Sequence, residues 1–212
     1  MTLFVGIDES YLQTGITEEA FIYVGTLTKN DAFAKDIGKS NGKIRNPSDH
    51  ANFDLKGLDG FLFGIFKFDN YGLDRSLRRR EKSYRSVLTL LKESLDGASL
   101  LGILGEKEDV HVEIDGHDSF RMNDPLYESL ATTEYGGRTK ITFIAQGDQR
   151  VKLINRADML AYVLRELRGI EAGIEKDLGV KGLAALKEHR GNPRIRNITP
   201  AHIGNKLERI AA

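Results

Sequence analysis

The chain has 212 residues, and its 31 basic side chains equal its 31 acidic ones, so the formal net charge is zero. A hydrophobic fraction of 40% and a charged fraction of 29% are typical of a folded globular protein and exclude a disordered or fibrous chain. The length predicts one domain with a substantial core. The sequence contains no cysteine, which excludes disulfides, thiolate metal sites and thiol nucleophiles.

The first residues and the apolar runs predict a cytoplasmic protein without a membrane partner. Asp8 and Glu9 fall within the first ten residues, where a signal peptide would carry a continuous apolar stretch. The longest apolar runs are a few residues, far short of the ~20 that span a bilayer. A chain without cysteine also suits a reducing compartment.

Three β-strands are predicted in the first third of the chain, at residues 3–8, 20–28 and 61–68. They are rich in β-branched and aromatic residues, and the stretch around Gly15 suits a hairpin connection between the first two. Residues 29–60 are rich in Lys, Asp, Asn and Gly. We interpret them as a long irregular insertion, which in a compact domain usually has a functional role.

Helices and strands alternate in the rest of the chain. Helices are predicted at 74–95, 125–132 and 155–168, and strands at 110–115 and 140–145. Each of the two longer helices has an apolar stripe for packing on a sheet. The stripes are Leu77, Tyr84, Leu88, Leu91 and Leu95 in one, and Leu153, Ala157, Leu160, Leu164 and Leu167 in the other.

This β-β-β-α-β-α-β-α order predicts an α/β fold in which a mixed sheet is flanked by helices. The first three strands would form an antiparallel meander, and the later strands would be joined in parallel through helices. We expect residues 1–168 to form this domain, with 29–60 inserted in it. Residues 169–212 would be a C-terminal basic extension.

Basic residues concentrate in two stretches. Residues 73–92 have seven basic and two acidic residues (7 − 2 = +5), and residues 187–209 have six and two (6 − 2 = +4). Two such patches on a neutral chain suit a polyanionic ligand such as nucleic acid, although the second also suits a solvated tail. The predicted nucleic-acid-binding residues are Arg75, Arg78, Arg79, Lys82 and Arg85.

Three aspartates stand at comparable places in the predicted elements. Asp8 closes the first strand, Asp115 closes the strand 110–115, and Asp158 lies in the first turn of the last helix. If these ends meet at one edge of the sheet, the carboxylates repel one another unless a cation lies between them. Mg²⁺ and Mn²⁺ prefer such oxygen ligands, and metal ions of this kind promote phosphodiester hydrolysis.

Each aspartate also has a structural interpretation. Asp8 suits the start of a turn. Asp115 precedes Gly116, and Asp-Gly is a common hairpin turn. Asn155 and Asp158 have the spacing of a helix capping box.

The predicted strand 110–115 also suggests a second kind of metal site. His111 shares one face of this strand with Glu113 and Asp115. A mixed histidine and carboxylate site for Mn²⁺ or Zn²⁺ is one interpretation. A solvent-facing histidine is the other.

Three motifs resemble the ribonuclease H-like superfamily: Phe-Val-Gly-Ile-Asp-Glu-Ser at 4–10, Glu-Ile-Asp at 113–115 and Ala-Asp-Met-Leu-Ala at 157–161. The chain is most similar to an uncharacterised prokaryotic domain-of-unknown-function family, whose members open with a strand ending Asp-Glu-Ser and close with a helix bearing Ala-Asp-x-x-Ala. The resemblance spans residues 3–168. Type-2 ribonucleases H share Asp-Glu and a later Asp-Gly, but this chain has Ser-Tyr-Leu where they have Gly-Arg-Gly, which argues against specificity for RNA–DNA hybrids.

The resemblance implies a hydrolase, a nuclease that uses Mg²⁺ or Mn²⁺ held by Asp8, Asp115 and Asp158. Glu9 is a further catalytic candidate.

The acid usual midway in the superfamily has no clear match, and Glu113 and Asp148 are the candidates for it. The missing match keeps a second hypothesis open, in which the chain is a catalytically inactive nucleic-acid-binding or assembly protein on the same fold.

Overall fold

The structure is a computed structural model that describes residues 1–13, 18–35, 57–69, 102–116, 139–171 and 196–197, with seven helical residues between 87 and 99. The described strands are β1 (Thr2–Gln13), β2 (Glu18–Thr28), β3 (Gly60–Asp69), β4 (Asp109–Asp115), β5 (Thr139–Ile144) and β6 (Arg196–Asn197). The helices with described bounds are α1 (Asp31–Lys35) and α2 (Lys152–Glu171), and a 3₁₀ turn spans Gly147–Gln149.

The strands form one mixed sheet in the order β5-β4-β1-β2-β3-β6. β1, β2 and β3 are an antiparallel meander, whereas β4 is parallel to β1 and β5 is parallel to β4. The predicted fold class, three antiparallel strands plus parallel strands with helices, is therefore confirmed. The two-residue β6 pairs in parallel with Gly60 and Phe61 of β3, so this part of the predicted basic extension joins the sheet.

One face of the sheet forms a first core. Leu3, Val5 and Ile7 alternate along β1, so their side chains point to the same face. Val110, Val112 and Ile114 of β4 lie beside them. The described helical residues of the 87–99 segment that cover this face are Val87, Leu91, Leu95 and Ala98.

The opposite face is covered by α2 and forms a second core. Ile22 and Val24 of β2 pack with Leu153, Ala157 and Leu160 of α2. The spacing of these α2 residues puts them on one side of the helix, as the predicted stripe requires. Leu164 of that stripe also packs here, while the side chain of Leu167 is outside the described part of the chain.

Two contacts bring the start of α2 directly onto the sheet. The Thr26 hydroxyl donates a buried hydrogen bond of 2.8 Å to the Leu153 carbonyl. A Cβ atom added at Gly6 would lie 2.5 Å from Leu153 Cβ, which is closer than atoms can approach. Gly6 therefore leaves the space that Leu153 fills.

Some predicted bounds were wrong. β1 does not end at Asp8 but continues to Gln13, and α2 begins at Lys152 instead of residue 155. The predicted irregular insertion contains α1, whose Phe33 amide donates to the capping Asn30 side chain.

Other predictions lie partly or wholly outside the described residues. Of the predicted helix 74–95, the structure describes only Val87, Leu91, Lys92 and Leu95, and the predicted helix 125–132 lies outside the described residues. None of the helices formed by the described residues is long and apolar enough to cross a membrane.

Candidate carboxylate site at the end of β4

Asp8 and Asp115 lie side by side where the parallel pairing of β1 and β4 stops. The last paired residues are Ile7 and Ile114, and both of these point into the first core. Because side chains alternate along a strand, the next residue of each strand, Asp8 and Asp115, faces the opposite side, toward α2. Sequence reasoning put Asp8 at a strand end, but it lies at the end of the shared pairing within a longer strand.

Asp8 is buried, with 5% of its surface exposed. Burial raises the pKa of its carboxyl well above the usual value, and the negative charges of Glu9, Asp158 and Asp115 raise it further, in that order. A hydrogen bond of 2.7 Å from the Glu9 amide to Asp8 Oδ1 acts in the opposite direction. The Asp8 carboxyl is therefore under the electrostatic influence of the three other predicted catalytic acids, Glu9, Asp115 and Asp158.

Asp158 approaches this position from α2. It lies one residue after Ala157 of the second core and is partly exposed. It is the seventh residue of the helix, so it is not in the first turn, where sequence analysis placed it. Its charge acts on Asp8 from the helix side, while that of Asp115 acts from β4.

Asp115 is held by a backbone group. Its Oδ1 accepts a hydrogen bond of 2.5 Å from the amide of Gly147, in the 3₁₀ turn between β5 and α2. The adjacent Gly116 amide donates to the carbonyl of Ile144 at 3.1 Å. The ends of β4 and β5 are thus tied together around the carboxylate. No motif in the sequence indicates the Gly147 contact, because every residue except proline has such an amide.

Glu9 is exposed and pairs with Tyr23 of β2. Tyr23 belongs to the first core, and strand partners share a face, so Glu9 lies on the opposite face of β1 from Asp8. Its charge nevertheless contributes to the raised pKa of Asp8.

The two candidates for the missing fourth acid lie in different surroundings. Glu113 is half-buried on β4, and burial raises the pKa of its carboxyl against the lowering effects of His111 and Lys140. Asp148 is buried in the 3₁₀ turn, where its backbone carbonyl accepts a hydrogen bond of 3.0 Å from Asn155. His111 is exposed and makes an edge-on contact with Phe4.

The structural interpretations of the aspartates do not hold. Asp8 lies within β1 and is paired with Val24, so it does not begin a turn. β4 and β5 are parallel, so Asp115 and Gly116 are not a hairpin turn between them. Asn155 and Asp158 lie inside α2 and not at its N-cap, which excludes the capping box.

The chemistry of the donor set fits a hard divalent cation. The pKa of the Asp8 carboxyl is raised by burial and by three neighbouring acids, so positive charge would stabilise its ionised form, and Mg²⁺ and Mn²⁺ select carboxylate oxygens. Among the described residues, however, no group of three or more His, Asp or Glu side chains is arranged to hold one ion.

The predicted nucleic-acid-binding residues lie outside the described part of the chain. They are Arg75, Arg78, Arg79, Lys82 and Arg85.

Comparisons with known proteins give structural similarity only. No protein-family model and no curated protein matches the chain. The chain is similar to the structure of the PCNA:RNase HII complex from Archaeoglobus fulgidus, with 18% identity and a TM-score of 0.45, over 92% of this chain and 91% of that chain. It is also similar to ribonuclease H2 from Pyrococcus horikoshii OT3, with 14% identity and a TM-score of 0.37, over 91% of this chain and 82% of that one.

Proposed function

We propose that the protein is a metal-dependent nuclease that hydrolyses phosphodiester bonds of nucleic acid, with Asp8, Asp115 and Asp158 as ligands for Mg²⁺ or Mn²⁺. The observation that carries this proposal is the carboxyl of Asp8, whose pKa is raised first by burial and then by the charges of Glu9, Asp158 and Asp115. Acids with strongly perturbed pKa values that come from separate elements are typical of functional sites.

The roles of the residues follow from their surroundings. Asp8 is the central ligand, since it is the most buried of the three proposed ligands and its pKa is raised by the charges of the other two. Asp115 contributes a carboxylate that the Gly147 amide orients. Asp158 adds a carboxylate from the helix side. A bound divalent cation would supply an activated water and would stabilise the negative charge that develops on phosphate.

Glu9 and the basic residues have supporting roles in this proposal. Glu9 is exposed on the opposite face of β1 from Asp8, so its role is to add negative charge that raises the pKa of Asp8. Residues 75–85 carry the basic side chains that would contact phosphates without reading sequence. The absence of the Gly-Arg-Gly motif argues for a substrate other than an RNA–DNA hybrid.

The test is cleavage of labelled single- and double-stranded DNA and RNA, with Mg²⁺, Mn²⁺ or chelator. Asp8→Asn, Asp115→Asn and Asp158→Asn should each abolish cleavage while circular dichroism stays that of the wild type. Asp109→Asn is the matched control, because Asp109 is an exposed acid at the opposite end of β4. Cleavage that persists in the three variants would remove these acids from the mechanism.

A second candidate is a catalytically inactive nucleic-acid-binding or assembly protein. It is favoured by the arrangement of the described acids, which does not form a ready metal site. It predicts salt-sensitive binding of nucleic acid without turnover, and no heat of Mn²⁺ binding in calorimetry. Metal-dependent cleavage by the wild type would exclude it.

A further inference from the structure

One side of α2 carries a partly exposed stripe that begins at Asp158. Of the residues from Leu153 to Ala161, all of which the structure describes, only Asp158 is not buried. Tyr162 and Arg165, four and seven residues after it, are also partly exposed. Residues at this spacing lie on the same side of a helix. The accessible surface at Asp158 therefore continues along α2 over Tyr162 and Arg165.

Tyr162 and Arg165 form a stacked pair. The guanidinium carbon of Arg165 lies over the Tyr162 ring, 4.5 Å from its centroid. The ring packs against the second core, so it gives the guanidinium a fixed support. An arginine held on an aromatic face keeps its N–H donors in a planar fork that matches the oxygens of a phosphate. A guanidinium has five such donors, so it can bind a phosphate in addition to the contacts that it makes within the chain.

The pair lies beyond the acid cluster in the direction in which α2 runs. Leu153 contacts Gly6, and from this contact β1 leads to Asp8 while α2 leads to Asp158. Arg165 is seven residues past Asp158, which is about 10 Å along the helix axis. One strand of B-form DNA rises ~3.4 Å per nucleotide, so this separation corresponds to about three nucleotides.

We propose that Arg165, supported by the ring of Tyr162, binds a backbone phosphate of nucleic acid within about three nucleotides of the phosphodiester bond that faces the acid cluster. This inference rests on the proposed function, because its ligand is the proposed substrate. Tyr162 is a positioning residue, which acts through Arg165. Contacts to phosphate carry no sequence information, so the site should accept any base sequence.

The experiment measures binding of labelled DNA and RNA oligonucleotides, single- and double-stranded, to the full chain by fluorescence anisotropy. Chelator is present, so that cleavage does not interfere. Arg165→Gln should weaken binding by about 10-fold, the usual effect of losing a hydrogen bond to a charged group. It should also lower the slope of log affinity against log salt by about 0.7–0.9, which corresponds to one phosphate contact.

Variants at Tyr162 test the support of the guanidinium. Tyr162→Phe keeps the ring and should bind like the wild type. Tyr162→Leu removes it and should weaken binding by about 2–5-fold, the contribution of a cation–π contact. In the Arg165→Gln background, Tyr162→Leu should have no further effect, because Tyr162 acts only through Arg165. An equal further loss in that background would overturn the positioning role.

Lys152→Gln is the matched control. Lys152 is also a cation of α2 over an aromatic ring, with its Nζ 4.4 Å from the centroid of Phe33. It lies six residues before Asp158, which puts it on another side of the helix at about 3.6 residues per turn. This variant removes the same charge and should bind nearly as tightly as the wild type.

Substituted oligonucleotides test the contact from the side of the ligand. A neutral methylphosphonate replaces one phosphate at a time along the strand. The position that Arg165 contacts should weaken binding by the wild type and leave binding by Arg165→Gln unchanged. If every position weakens the wild type and Arg165→Gln by the same factors, Arg165 does not contact a phosphate and the inference is overturned.

The outcomes separate this inference from the proposed function. If the wild type binds none of the oligonucleotides, both fail together. If it binds and Arg165→Gln, folded by circular dichroism, binds equally well, the inference alone is overturned. An equal loss in Lys152→Gln would also overturn it, because net charge would then be responsible. Binding that depends on Arg165 in a protein that never cleaves would support this site and contradict the proposed nuclease.

Discussion

Gly6 of β1 and Leu153 of α2 are in direct contact, with no room for a side chain at position 6. A Cβ there would lie 2.5 Å from Leu153 Cβ and 2.6 Å from its backbone carbon. Asp8 is two residues further along the same face of β1, and Asp158 is five residues further along α2. The contact therefore sets how closely the helix acid approaches the strand acid.

Gly6→Ala should destabilise the protein by about 1–3 kcal/mol, the usual cost of an added methyl group in a packed core. The neighbouring atoms belong largely to backbone, so they cannot move aside as a flexible side chain would. The measurement is the free energy of unfolding in urea. Gly105→Ala serves as control and should change it far less. An alanine variant as stable as the wild type would show that α2 can shift on the sheet.

Thr26→Val should cost about 0.5–1.5 kcal/mol, the net contribution of one hydrogen bond. Valine keeps the shape of threonine but removes the hydroxyl that donates to the buried Leu153 carbonyl. Urea unfolding checks this, and Thr142→Val, at a partly exposed position of β5, provides the comparison. An equal decrease in the free energy of unfolding in both variants would mean that the hydrogen bond from Thr26 to α2 does not stabilise the fold.

Asp8→Asn should stabilise the metal-free protein at neutral pH. The folded state raises the pKa of Asp8 above its ordinary 3.8, so it holds a proton that the unfolded state has released. Stability of the wild type therefore falls as pH rises from that value through the raised pKa, and the full penalty remains above it. Asparagine has no such charge, so its advantage should grow over the same window.

Urea unfolding of both proteins in chelator, at a series of pH values, measures this difference. Asp109→Asn, at an exposed acid at the opposite end of β4, is the control for the removal of one negative charge. If the difference in free energy of unfolding between the wild type and Asp8→Asn does not change with pH, the folded state does not raise the pKa of Asp8.

Lys29 and Glu108 form a salt bridge of 2.8 Å between the end of β2 and the start of β4. The Lys29 hydrogen bond holds the pKa of Glu108 below its ordinary 4.5, so the stabilisation is present above that value and is lost as pH falls through the lowered pKa. Lys29→Met should cost up to about 1 kcal/mol at neutral pH, because the pair is partly exposed.

The comparison for this pair is Lys92→Met. Lys92 Nζ and Asp96 Oδ2 are 3.5 Å apart, and each side chain is about half exposed. Removing this ion pair should therefore lower the free energy of unfolding by less, at most about 0.5 kcal/mol. Thermal or urea unfolding at neutral and acidic pH measures both. If Lys29→Met is destabilised by the same amount at acidic pH, the packing of the Lys29 side chain, and not its charge, is responsible.

The sheet could be predicted because its strands are apolar on one or both faces and their order restricts the topology. The length of β1 could not, since Ser10 to Gln13 have no apolar alternation and extend the strand by pairing with β2. The early start of α2 was missed because Lys152 and Leu153 precede the residues with the clearest periodicity. α1 is only five residues long, too short for a periodic signal.

Of the candidate site, sequence could indicate the acids but not their relations. That Asp8 and Asp115 share a face depends on the β1–β4 register, which a strand's own sequence does not contain. The Gly147 amide leaves no side-chain signal at all. The acid positions remain a prediction about function, and the basic residues 75–85 lie outside the described part of the chain.

The parallel register of β1 and β4 makes the acid pair sensitive to changes in chain length. Val110, Val112 and Ile114 keep β4 in place through their burial in the first core. A deletion or insertion of one residue just before Asp115 would turn that carboxylate to the other side of the sheet. After such a change, the two aspartates would lie on opposite faces of the sheet, although every acidic residue would still be present in the sequence.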